Sequence, residues 1–208
     1  MELTIAVPKG RLEKQVGAYL GAHGIDVAFA GRDLVTRDGT GTLRFLLVKN
    51  HDLPTYVGHG IAGLGICGDD LIAESRHRFY RLATLPFGAS RMCLVTARGA
   101  SLGYDQPGGV KVATKYPAQA RAFFHNRGIP VEVVRLSGSV ELAPVLGLAP
   151  FILDIVETGR TLAAHDLVVV AELAPIRVRL IANPAYYKVH YREVEAVVAR
   201  LTGKGGGA

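Results

Sequence analysis

Short apolar runs recur along this chain, and nearly every one is followed by a stretch with helical spacing. "LTIAVP" (3–8), "LRFLLVK" (43–49), "GLGIC" (63–67), "VKVAT" (110–114), "VEVVRL" (131–136) and "FILDIV" (151–156) have the length and β-branched content of buried strands. Helical patterns are expected over 10–23, around 52–60, from Asp69 to about Ser75, over 117–127 and 139–147, from about 160, and over roughly 184–201. "FYRLATL", "RMCLVTA", "LVVVAEL" and "IRVRLIA" supply four more strands. Strand alternating with helix predicts an α/β fold, each part a mainly parallel sheet flanked by helices. Ligands of such sheets sit beyond the carboxyl ends of the strands, so the strand-to-helix junctions are where function is sought.

The pattern is also weakly repeated. "LTIAVPKGRLEKQVGAYLGAHGIDVAF" and "VKVATKYPAQARAFFHNRGIPVEVV" each run strand, lysine, helix, Gly-Ile, strand. Lys9 matches Lys115, and Gly24-Ile25 matches Gly128-Ile129. Two similar lobes are expected: residues 1–89 with about 175–208, and about 90–174. A cleft between two lobes is a natural ligand site.

The composition narrows the partners. Lys and Arg exceed Asp and Glu by 24 to 18, a formal charge of +6. The charges are scattered, without a basic block or basic-aromatic interleaving, which disfavours nucleic acid and leaves small anions. No apolar run is long enough to cross a bilayer and no export signal opens the chain, so a cytoplasmic protein without membrane contact is expected. Cys67 and Cys93 are the only cysteines, both in apolar contexts that suit buried thiols in a reducing compartment. There is no Walker A loop, dinucleotide fingerprint, HExxH or CxxC, and no metal-ligand set is assigned to the protein.

Three junctions carry unusual residues. "VPKGRL" puts Lys9, Gly10 and Arg11 at a helix start, where cations oppose the helix dipole by about 0.3–1 kcal/mol each. An anion on the free N–H groups would offset that, and Gly10 would let it approach. "ATKYPAQ" repeats the theme with Lys115. "DIVETGRTL" leaves a strand with Asp154 and Glu157, then enters a helix through Thr158, Gly159, Arg160, Thr161 and Leu162. Backbone N–H groups and two hydroxyls there can cup a phosphate monoester, while the carboxylates need donors such as ribose hydroxyls or a metal ion. A polar turn without a ligand would look similar. In "SGSVELAP", Ser139 suits a helix cap and Glu141 the first turn, with a ligand role for Glu141 as the alternative. Arg32 and Lys49 are either surface charges or cleft cations.

Taken in order, "AVPKGRL", "DLPTYVGHGIAGLGICGDDLIAE", "VATKYP", "SGSVELAPVLGL" and "DIVETGRTL" resemble the catalytic subunits of the ATP phosphoribosyltransferase family, short form, over about residues 3–190. The resemblance implies a two-lobed fold like the type II periplasmic binding proteins. It implies the first step of histidine biosynthesis: phosphoribosyl pyrophosphate donates its 5-phosphoribosyl group to N1 of the ATP adenine, with Mg²⁺ present, and pyrophosphate leaves. It places the 5′-phosphate on Thr158–Leu162 and the ribose near Asp154 and Glu157. It assigns Lys9, Arg11 and Arg32 to the departing pyrophosphate, and Lys9, Gly10, Arg11, Lys49, Lys115 and Glu141 to ATP or pyrophosphate. It implies a homodimer that joins a histidyl-tRNA-synthetase-like regulatory subunit in a hetero-octamer.

The chain departs from the family pattern at three places: Gly63 where an acid is frequent, Pro150 where an acid is common, and His165-Asp166 in place of Asn-Gly. Two other readings share parts of this pattern. One is a nucleobase phosphoribosyltransferase, although Ile155 interrupts the paired acids such enzymes place before the loop. The other is a two-lobed binding protein for an anionic small molecule.

Overall fold

A computed structural model of the chain describes residues 2–29, 33–100, 103 and 109–203. They pack as two compact units: residues up to Gly88 with those from Arg177 on, and Ala89–Ile176.

In the first unit, strand β1 (Leu3–Pro8) is buried along its whole length and enters helix α1 (Arg11–Ala22). A short strand β2 (Val35–Arg37) turns back into β3 (Leu43–Val48). A 3-10 turn (Asn50–Asp52), α2 (Leu53–Gly58), β4 (Leu64–Gly68) and α3 (Asp69–Glu74) follow. β1 lies parallel to both β3 and β4. Two helices close the described chain, α7 (Pro184–Val189) and α8 (Tyr191–Thr202). The core is Ile5, Val7, Phe45, Leu64 and Ile66 from the strands against Val16, Leu20, Val194 and Leu201 from α1 and α8.

In the second unit, β6 (Val110–Thr114) lies between β7 (Val131–Arg135) and β8 (Phe151–Val156), parallel to both. Helices α4 (Pro117–His125), α5 (Leu142–Val145) and α6 (Arg160–Ala164) connect these strands. Val95, Ala113, Ile152, Val140 and Ala143 form its core.

Two strands run through both units, β5 (Tyr80–Ala97) and β9 (Leu167–Ala182). Each was expected as two shorter strands, because Pro86, Gly88 and Pro175 read as breaks. They are single because an exposed proline at a ladder position that need not donate is tolerated. Their pairings are antiparallel, β4 with β9 and β5 with β8, so the fold is a mixed α/β one. The C-terminal helix also differs from expectation: it breaks at His190 into α7 and α8. β2 was not anticipated; three residues with exposed ends carry too little alternation to show.

The repeat corresponds to shared local geometry. The N–H of Ile25 reaches Leu20 O at 2.9 Å, and that of Ile129 reaches Phe124 O at 3.0 Å. Both are the closing bond of a Schellman cap, so the two helices end alike.

The turn between β2 and β3 is organised by Asp38, which is 6% exposed. Its Oδ1 accepts from the Leu43 N–H at 2.9 Å and its Oδ2 from the Thr40 hydroxyl. Burial alone would raise this carboxyl, but the hydrogen bonds outweigh it and hold the pKa below the ordinary value. A depressed folded pKa means stability that is present above the unfolded pKa and lost as pH falls through the folded one. Asp38→Ala is expected to cost about 1–3 kcal/mol at pH 7, the price of stranding buried donors. The difference from wild type in urea melts should shrink below pH 4. A pH-independent difference would contradict this account.

Candidate active site

Asp154 sits on β8, opposite Cys93 of β5, and is 9% exposed. Its neighbours Leu153 and Ile152 face Thr114 and Ala113 of β6. That pairing brings Lys115, the residue after β6, against Asp154: Nζ lies 3.2 Å from Oδ1. Oδ1 nonetheless makes no hydrogen bond. The ammonium stands beside the carboxylate as its neighbouring positive charge. Burial raises the Asp154 pKa, Lys115 opposes that rise, and Glu141 adds to it. Glu141 is therefore close enough for its charge to be felt at Asp154. The structure thus groups Lys115, Glu141 and Asp154 within the second unit.

Thr114, fully buried, fixes the position of Lys115. Its hydroxyl donates to Leu153 O at 2.6 Å and accepts from the Tyr116 N–H at 2.8 Å. Pro117 then opens α4. The sequence reading passed over Thr114; a threonine ending an apolar strand before Lys-Tyr-Pro was the available signal.

Past Asp154 the chain turns at Glu157, Thr158 and Gly159 into α6. Gly159 caps the helix with φ 75°, and a Cβ there would meet no atom, so conformation rather than space asks for glycine. The first intrahelical bond is Ala163 N–H to Gly159 O at 3.0 Å. The N–H groups of Arg160, Thr161 and Leu162 precede it, and such groups have no partner within a helix. That of Arg160 makes only a long 3.5 Å contact to Thr158 Oγ1. Glu157, Thr158, Arg160 and Thr161 are exposed. The turn is an open cup of donors with a half-neutralised carboxylate beneath it.

Glu141 differs from its expected place. α5 begins only at Leu142, with Glu141 itself at the cap and no side-chain cap bond. Ser139, expected to cap, has φ 47° instead. Its carbonyl, not its hydroxyl, meets the Leu142 N–H. Capping therefore does not account for the Glu141 side chain.

In the first unit, Lys9 and Lys49 follow β1 and β3 at the carboxyl ends of neighbouring parallel strands. The Lys9 N–H reaches Val48 O at 2.8 Å, and both lysine side chains are exposed. Gly10 caps α1 with φ 99°. Its N–H is taken by the Glu13 carboxylate at 3.1 Å, so part of the cationic cost at Lys9 and Arg11 is offset within the chain. The sequence reading missed this capping acid, three residues after the glycine. Asn50, beside Lys49, keeps a buried side-chain oxygen with no hydrogen-bond partner. Arg32 lies outside the described residues. Among the described residues no three His, Cys, Asp or Glu side chains gather as a metal cage.

The model of ATP phosphoribosyltransferase matches residues 49–203. The chain belongs to the ATP phosphoribosyltransferase family. It is 42% identical to the ATP phosphoribosyltransferase of Moorella thermoacetica over 98% of this chain and 95% of that one. It is 40% identical to that of Caldanaerobacter subterraneus subsp. tengcongensis over 96% and 95%. Among solved structures, a chain of the ATP phosphoribosyl transferase (HisG:HisZ) complex from Thermotoga maritima superposes with a TM-score of 0.85 at 32% identity, covering 97% of each chain. The periplasmic aliphatic sulphonate binding protein SsuA of Escherichia coli gives 0.64 at 12% identity, over 97% of this chain and 72% of that one; this likeness shows the fold alone. It is the fold the family resemblance implied.

Two of the departures from the family pattern have local explanations. A Cβ on Gly63 would lie 2.1 Å from the Tyr186 ring. Asp166 adopts φ 52° and binds the Arg98 side chain at 2.8 Å, so an aspartate holds the left-handed position that glycine takes elsewhere. The Pro150 carbonyl accepts from the Thr96 hydroxyl at 2.8 Å, a bond any residue there could make, and nothing in the structure explains proline at this position.

Proposed function

We propose that the turn from Thr158 to Leu162 holds the 5′-phosphate of phosphoribosyl pyrophosphate, with Asp154 and Glu157 addressing the ribose. The chain is an enzyme of the first step of histidine biosynthesis: it transfers the 5-phosphoribosyl group to N1 of the ATP adenine, giving N1-(5-phosphoribosyl)-ATP and pyrophosphate. The observation that carries the residue assignment is a buried Asp154, paired with Lys115, on the strand that leads into a glycine-capped turn with exposed polar side chains.

Each role follows from chemistry. The adenine N1 has a lone pair at neutral pH and needs no strong base. Positive charge builds on the ribose as its bond to pyrophosphate loosens, and an ionised Asp154 accepting from a ribose hydroxyl is complementary to it. The Lys115 charge opposes the rise that burial imposes on the Asp154 carboxyl. Lys9, Arg11, Arg32, Lys49 and the Gly10 turn are assigned to phosphates of ATP and of the departing pyrophosphate. Mg²⁺ keeps several waters and binds through one or two carboxylates plus substrate phosphates. Asp154 and Glu141 fit that demand for a cation arriving on phosphoribosyl pyrophosphate, where it neutralises the pyrophosphate charge.

The proposed assembly is a homodimer of this chain joining a histidyl-tRNA-synthetase-like regulatory subunit in a hetero-octamer, and the likeness to a chain of a HisG:HisZ complex supports a second kind of subunit. No described helix is long and apolar enough to cross a membrane. The cytoplasm is the proposed place of work.

Ribose 5-phosphate tests the cup without the chemistry. Forcing a Cβ into the left-handed region costs about 1–2 kcal/mol. Gly159→Ala is therefore expected to displace the turn and weaken ribose 5-phosphate by about tenfold in calorimetry, with a melting temperature lowered by only a few degrees. Equal affinity in both proteins would remove the turn from the site.

A further inference from the structure

The first unit holds a second collection of positive charge that the reaction does not use. A cavity of about 530 Å³ is lined by Arg81, Leu82, Thr84 and Pro86 of β5, Arg179 of β9 and Tyr19 of α1, among others. Two guanidinium groups there share one carboxylate. Arg179 Nε binds both oxygens of Asp69, at 2.9 and 3.0 Å, and the Arg177 N–H adds a third bond at 3.2 Å. Arg81 Nε stands back at 3.8 Å from the same carboxylate. Asp70, next in sequence, is buried and does not line the cavity.

Asp69 is thus held by Arg179 Nε and the Arg177 N–H, and the outer ends of the guanidiniums remain. One Arg179 terminal nitrogen donates to the Thr84 hydroxyl, which leaves that hydroxyl's own proton to give. Among the described residues, the other Arg179 terminal nitrogen and both of Arg81 meet no acceptor. The Arg81 side chain is 56% exposed and that of Arg179 26%, so both reach solvent from the cavity wall. Arginine forks of this kind match phosphate and carboxylate geometry. Three terminal nitrogens and a hydroxyl exceed what a carboxylate's two oxygens use and suit the three outer oxygens of a phosphate monoester. Beside them Leu82, Pro86 and the Tyr19 ring add a smaller apolar patch to a mainly polar lining. The volume lies within the about 300–1,000 Å³ usual for a small-molecule site, and the mainly polar lining suits an anionic group.

We infer that this cavity is a second anion site, distinct from the phosphoribosyl cup, which takes an organic phosphate monoester with an apolar or aromatic body. The inference rests on the first unit alone and does not depend on the assignment of the Thr158–Leu162 turn.

Equilibrium dialysis tests it, with the full chain, Mg²⁺ and saturating phosphoribosyl pyrophosphate to fill the family site. The probes are phenyl phosphate, inorganic phosphate and benzoate. Wild type is expected to retain one phenyl phosphate site per chain, with inorganic phosphate and benzoate each at least fivefold weaker. Arg81→Gln and Arg81→Glu should weaken phenyl phosphate by at least tenfold, with wild-type melting temperatures and wild-type production of phosphoribosyl-ATP. No residual site, or unchanged affinity in the Arg81 variants, would overturn the inference. Benzoate binding as tightly as phenyl phosphate would overturn the phosphate assignment, and equal binding of inorganic phosphate would overturn the role of the apolar patch.

Discussion

Asp154→Asn is expected to lower kcat/KM for phosphoribosyl pyrophosphate by about 10- to 100-fold while leaving the fold at least as stable as wild type at pH 7. The rate loss corresponds to one hydrogen bond to a charged group, about 1.5–3 kcal/mol, strengthened as the ribose becomes cationic. The stability expectation follows from the sign of the shift. Burial raises the Asp154 pKa above its unfolded value despite Lys115. A raised folded pKa contributes stability that is fully present below the unfolded value and lost as pH rises through the folded one. Ionising Asp154 in its buried place therefore costs stability that the unfolded chain does not lose. The asparagine variant escapes that loss, and Lys115, partly exposed, stays hydrated without its partner. Urea melts from pH 4 to 8 should show the variant gaining on wild type as pH rises. A variant that is both inactive and less stable at pH 8 would mark Asp154 as structural.

Restoring an acid at residue 63 should destabilise the first unit. Gly63→Asp is expected to cost about 1–3 kcal/mol, the usual penalty for overpacking. The Cβ alone would overlap Tyr186, with three ring carbons between 2.1 and 2.3 Å. The ring cannot simply swing out, because it packs on the unit's core and against His190 at 4.3 Å between centroids. Asn183 also ties this corner together, its N–H on the Gly63 carbonyl and its side-chain nitrogen on Val57 O and Gly58 O. Tyr186→Ala in the same chain should recover part of the loss, giving a coupling energy of about 1 kcal/mol or more in a double-mutant cycle. Strictly additive effects would show that the two positions do not meet.

The α/β alternation was legible because buried parallel strands read as apolar runs and the helices between them carry their own period. What failed was local. Pro86, Gly88 and Pro175 look like strand ends in one dimension, yet they lie inside β5 and β9 where the ladder tolerates them. Ser139 looks like a helix cap, but its backbone takes the left-handed form and the helix starts later. In the candidate site, the donor cup was legible, since Thr-Gly-Arg-Thr after an apolar run is contiguous. The partner of Asp154 was not. Lys115 stands 39 residues earlier, and only the pairing of β6 with β8 brings them together. Glu141 was visible as an acid near a helix start, with a dipole role and a ligand role both open, and the structure puts it at the cap of a four-residue helix without a side-chain cap bond. The Gly63–Tyr186 contact is likewise a product of packing between distant segments.

The most direct test of the whole account is the formation of phosphoribosyl-ATP, followed by its absorbance. ATP, phosphoribosyl pyrophosphate and Mg²⁺ are mixed with the chain, with pyrophosphatase removing the pyrophosphate, in the presence and absence of the regulatory subunit. Product is expected only when both substrates are present, and Asp154→Asn and Gly159→Ala should slow its formation in proportion to their effects on the ribose phosphate site. Folded wild-type protein that yields no product with the regulatory subunit present, or variants that match wild type, would contradict the assignment of the reaction to this strand end and its turn.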